Sequence, residues 1–72
     1  MGYSIPSRKI IKRLKADGWR LHGIDGDHHN FRKAKVGIVT VPHPSKDIPI
    51  GTLRSIFRQA NWPWPPGSKD FA

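Results

Sequence analysis

Asp25-Gly26-Asp27, followed by His28-His29-Asn30-Phe31-Arg32-Lys33, reads as a tight turn feeding a β-strand. Gly26 takes a positive φ without a Cβ clash, and the flanking aspartates bond readily to nearby backbone. Upstream, Trp19-Arg20-Leu21-His22 alternates apolar and polar residues, the pattern of a half-buried strand arriving at the same turn. Downstream, Val36 to Val41 supplies a third β-prone run, hinged near Ala34-Lys35. Pro42 and Pro44 end it, since neither can donate to a ladder. Three runs joined by short turns make an antiparallel meander.

Helical periodicity appears on both sides of this meander. Ser7 is placed to cap a first helix, from about Arg8 to Asp17. Ile10, Ile11 and Leu14 form its apolar stripe, and Gly18 gives a left-handed stop. Pro49 suits the first turn of a second helix, in which Ile50, Leu53, Ile56, Phe57 and Ala60 keep a 3.6-residue period. Thr52, Arg54, Ser55, Arg58 and Gln59 take its polar side. The expectation is an α+β fold in the order α-β-β-β-α, with both helices on one face of a three-stranded antiparallel sheet and the other face wet. Residues 7–61 form the folded domain, and 62–72 form a Trp/Pro-rich tail. In that tail, Trp62-Pro63-Trp64-Pro65-Pro66-Gly67 runs extended, and either folds back so that its indoles cover the core, the favoured reading, or serves as a partner contact. The residues on to Ala72 read as a frayed end.

The chain has 72 residues, enough for one small core, and no cysteine, so neither a disulfide nor a thiolate metal site supplements that core. It carries no apolar run of membrane-spanning length, and Met1 to Pro6 lacks the pattern of a secretory signal. The compartment expected is the cytoplasm. Thirteen Lys and Arg stand against five Asp and Glu, a formal charge of +8, which points to a polyanionic partner. Nucleic acid is the favoured one; an acidic protein is its competitor.

Strand alternation sorts the histidines. If Phe31 packs under the helices, His29 shares its buried side, while His28, Asn30 and Arg32 share the open side. On the third strand Val39 and Val41 turn inward, and Ile38 and Thr40 outward. His28 is thereby presented beside an arginine and an amide, the placement that an acid or base for phosphodiester chemistry needs. An ordinary surface histidine fits the same position. His29 reads as a packed structural residue and His22 as a surface residue able to touch phosphate. His43, between two prolines, fits a structural or a functional role equally. Neighbouring histidines on opposite faces cannot share one ion, so no metal and no other cofactor is expected. Arg20, Arg32, Lys33, Lys35, Lys46 and Arg54 are the candidates for phosphate contact; the cations of the first helix form a solvated or docking face.

Three ordered motifs carry a family resemblance. They are Gly18-Trp19 closing a basic helix, Gly26-Asp27-His28-His29-Asn30-Phe31, and Val39-Thr40-Val41-Pro42-His43-Pro44 followed by Asp47-Ile48-Pro49-Ile50-Gly51-Thr52-Leu53-Arg54-Ser55-Ile56. Together they span roughly Ser7 to Ala60 and resemble the HicA family of toxins. The resemblance implies a fold similar to a double-stranded-RNA-binding domain. It also implies a ribosome-independent mRNA interferase, neutralised by a HicB-like antitoxin. Since the histidines lack ligand spacing, the expectation is a metal-independent endoribonuclease acting on single-stranded RNA. Contact with DNA would be indirect, through that antitoxin, and no membrane is involved. The family's catalytic histidine follows Gly-Ser or Gly-Thr, which is His28 here.

This chain departs from the pattern at Asp27, where a small hydroxyl residue is usual. The carboxylate either favours the charged form of His28 by proximity or leaves the hydroxyl's role unfilled. The Trp-Pro tail has no function in the resemblance. Two other readings stand beside the endoribonuclease: a non-catalytic RNA-binding module, and a protein-interaction module docking an acidic partner.

Overall fold

The computed structural model describes residues 5–67, so the expected frayed end beyond Gly67 lies outside the described residues. The elements follow in the order α1 (Ser7–Ala16), β1 (Arg20–Asp25), β2 (His28–Lys33), β3 (Gly37–Pro42) and α2 (Ile50–Ala60). The strands form one antiparallel sheet in the order β1-β2-β3. This is the α-β-β-β-α order that the periodicity predicts, and it is consistent with the double-stranded-RNA-binding-domain-like fold that the resemblance implies.

Local chemistry sets the boundaries. Gly18 (φ +92°) ends α1, and Gly26 (φ +58°) makes the β1–β2 turn, conformations that cost a residue with a Cβ far more than glycine. Arg13 and Lys15 lie in the last turn of α1, where cations complement the helix dipole. Asn61 closes α2 in the left-handed region. In β2–β3 the register runs without a break from His28 opposite Pro42 to Lys33 opposite Gly37. Between β1 and β2 it shifts at Leu21/Gly23, leaving His22 as the extra residue of a bulge.

Ile10 and Leu14 of α1, Phe31 of β2, Val39 and Val41 of β3, and Leu53, Ile56 and Phe57 of α2 pack as one buried cluster, which puts both helices on the same face of the sheet. Trp62 joins this cluster and Trp64 packs against it. Both indoles meet Phe57 edge-on at 5.2 Å between ring centroids. The Trp62 Nε1–H also donates to Asp17 Oδ2 at 2.7 Å, tying the chain's C-terminal segment to the end of α1. Trp62 and Trp64 thus cover the core, the favoured of the two readings of this segment.

Four expectations need correction. Ser7 is not the cap of α1: Pro6 holds that position without a side-chain cap, and Ser7 is the first helical residue, its hydroxyl bonded elsewhere. Pro49 likewise sits just outside α2, at its N-cap. Ile50 is half exposed because it opens the helix before the turn that meets the sheet; Ile48, in the preceding loop, fills the core instead. The first strand is longer than Trp19 to His22 and none of its residues is buried. Leu21 is 48% and Ile24 60% exposed, although their partners Phe31 and His29 lie on the helix side. The helices contact β3 above all, so this half of the sheet is left uncovered.

Candidate functional site

The pleat of β2 sends successive side chains to opposite sides. His28 is exposed on the open face, opposite Asp25 of β1 and Pro42 of β3. Asn30 follows on that face and accepts a hydrogen bond from Thr40 Oγ1 at 2.8 Å. Arg32 comes next, opposite Arg20 and Ile38. At about 3.3 Å per residue, the four steps from His28 to Arg32 span about 13 Å. The open face therefore has an imidazole and a carboxylate at one end and two guanidinium groups at the other.

The remaining cations divide. Lys33 and Lys35 join Arg32 and His22 around a cleft of about 440 Å³ at the β2–β3 turn. Lys46 lies apart, lining a second cleft of about 310 Å³ with Arg8 and His43. Arg54 stands over the Trp64 ring, 5.3 Å from its centroid. The structure thus gathers Arg20, Arg32, Lys33 and Lys35 at one end of the sheet, and leaves Lys46 and Arg54 elsewhere.

His29 points away from His28, toward the helices. Its ring meets that of His43 edge-on at 4.8 Å and 85°. Its Nδ1 is buried and has no hydrogen-bond partner among the described residues. His43 is fixed from a third side: its Nδ1 lies 2.7 Å from Ser7 Oγ, and its backbone N–H donates to the Asp27 carbonyl at 2.7 Å. The Ser7 hydroxyl also contacts the Ser45 carbonyl and accepts from the Ser45 N–H at 2.9 Å. Nothing local in the sequence signals this arrangement, because Ser7 and His43 are 36 residues apart. The prolines around His43 mark a constrained segment without naming its partner.

Among the described residues, no three of His, Cys, Asp and Glu gather as a metal site. No described helix is long and apolar enough to cross a membrane.

A small basic α+β domain of the double-stranded-RNA-binding-domain type, with an exposed histidine at one end of its open sheet, is the class that this architecture defines. Residues 7–62 match the family model described as "HicA toxin of bacterial toxin-antitoxin". The match covers most of the chain, which belongs to the HicA family of toxins. No curated protein matched it.

Proposed function

We propose that this HicA-family toxin is a cytoplasmic endoribonuclease that cuts single-stranded mRNA, with His28 as a general acid or base. The observation that carries the reading is the exposure of His28 on the same face as Arg20 and Arg32. An RNA strand laid along this face has its phosphates held by the arginines, and by Lys33 and Lys35 around the turn. His28 then stands at a phosphodiester about 13 Å further along. There it takes the 2′-hydroxyl proton or protonates the 5′-oxygen leaving group, while nearby cations offset the charge that builds on phosphorus. Neither role calls for a metal.

A toxin of this kind needs a cover, and the family resemblance supplies a HicB-like antitoxin. An acidic antitoxin surface complements a +8 chain and shields His28. The test is RNA cleavage by purified protein, with and without EDTA, for the wild type and His28→Ala. Cleavage that resists the chelator and disappears in the variant supports the proposal. Binding without cleavage by the wild type would leave an RNA-binding module in its place.

A further inference from the structure

We infer that His43 is the second proton-transfer group of this ribonuclease, oriented by the buried hydroxyl of Ser7; the inference rests on the endoribonuclease reading above. Ser7 is 1% exposed, and its Oγ makes three contacts: His43 Nδ1 at 2.7 Å, the Ser45 N–H at 2.9 Å and the Ser45 carbonyl at 3.2 Å. A hydroxyl has one proton and two lone pairs. In one arrangement Oγ–H donates to the Ser45 carbonyl, and Oγ accepts from both the Ser45 N–H and His43 Nδ1–H. In the other, Oγ–H donates to Nδ1, and the Ser45 carbonyl keeps the Ser7 backbone N–H that it accepts at 2.8 Å. Either way Ser7 holds the ring by Nδ1; in the first arrangement, the one inferred, the neutral ring keeps its lone pair on Nε2. That nitrogen makes no hydrogen bond among the described residues. A hydrogen bond at one ring nitrogen that frees the other is how proteins orient a catalytic imidazole.

The surroundings suit a phosphodiester. His43 lines the 310 Å³ cleft with Arg8 of α1 and Lys46 of the following loop, both exposed. The other titratable groups about it are His29 of β2, against its ring, and Asp27 of the turn, whose carbonyl it bonds. That last bond carries the β2–β3 ladder one pair beyond His28 and Pro42. From the spacing of paired strands, the backbones of His28 and His43 are roughly 6 Å apart. The two rings stand on opposite sides of the sheet at its end, and in the pose inferred a ribose-phosphate unit crosses that rim to reach both.

In the step inferred, His43 Nε2 takes the 2′-hydroxyl proton as O2′ bonds to phosphorus. The P–O5′ bond breaks, and His28 gives a proton to the departing O5′. The products are a 2′,3′-cyclic phosphate and a 5′-hydroxyl, and no other reactant is consumed.

His43→Asn is the discriminating variant, because its amide keeps a donor toward Ser7 while removing Nε2. Single-turnover cleavage should slow by about 10²–10⁴-fold with thermal unfolding unchanged. The pH–rate profile should also lose the limb on which wild-type activity falls toward acid. A folded His43→Asn that cuts within about threefold of wild type, both limbs intact, overturns the inference. If that variant does not fold, ¹⁵N shifts of the wild-type ring decide: a neutral Nδ1–H tautomer supports the assignment and Nε2–H overturns it. A wild type inert toward RNA defeats the ribonuclease reading, and this inference with it. Cleavage that needs His28 but not His43 defeats this inference alone.

Discussion

His28 and His29 are adjacent in sequence and have opposite surroundings. One stands exposed on the open sheet with arginines further along its face; the other is turned under the helices against His43, one ring nitrogen buried without a hydrogen-bond partner among the described residues. The same contrast runs along β2, where Phe31 is 1% exposed and its neighbour Arg32 is open to solvent. The pleat of a single strand has thus separated the residues that hold the domain together from those free to meet a substrate. Chemical likeness between two histidines says little about their roles; the side of the strand decides.

The sharpest way to break this contrast is at its first residue. His28→Ala should slow RNA cleavage by about 10²–10⁴-fold, the contribution of a positioned acid or base. Its unfolding free energy should move by no more than about 0.5 kcal/mol, because no core atom is removed. Single-turnover cleavage and thermal unfolding on the same preparation check both halves. An unfolded His28→Ala would mean that the two sides are exchanged.

Phe31→Ala tests the buried side. Truncating a fully buried phenylalanine costs about 3–5 kcal/mol, which leaves a domain this small with little or no net stability. Arg32→Ala, one residue along, should stay within about 0.5 kcal/mol of wild type by denaturant titration. Equal losses at the two positions would contradict the register.

His29→Ala should fall between these extremes. It loses an edge-on ring contact worth about 0.5–1.5 kcal/mol beyond the area it buries, but also a buried nitrogen that has no hydrogen-bond partner among the described residues. A fall in unfolding temperature of several degrees is expected, with any drop in cleavage recovered on cooling. Loss of cleavage in a variant as stable as wild type would give His29 a chemical role.

The smallest effect belongs to the far end of the open face. Arg32→Ala should weaken binding to single-stranded RNA and reduce the magnitude of the log–log salt slope by about 0.7, the value for one phosphate contact. Titrations at several salt concentrations give that slope; an unchanged one would remove Arg32 from the RNA path.

Much of this was legible in the chain because its causes are local. Gly18 and Gly26 punctuate it where positive φ is needed, and period-2 alternation from His28 to Lys33 assigns each side chain to a face. The special status of His28 rested on the family resemblance as well, since alternation alone makes it only an exposed histidine. Contacts between distant segments were not legible. The Ser7 hydroxyl looks like a helix cap until the loop after β3 comes to meet it, and the bond from Trp62 to Asp17 joins positions 45 residues apart. Nor does an alternating strand announce whether a helix will lie above it, which is why Leu21 and Ile24 are more exposed than their spacing suggests.

The uncovered half of the sheet has a consequence for how the domain breathes. With no buried residue of its own, β1 is anchored chiefly by its ladder to β2, whereas β2 and β3 share the packed core. Elements anchored this way detach in sub-global openings at free energies well below that of whole-domain unfolding. Amide exchange in native buffer should therefore rank β1 as the first strand to release its protection, with Phe31 and Val41 among the last. When β1 peels away it takes Asp25 from beside His28, while His28 stays seated on the β2–β3 pair.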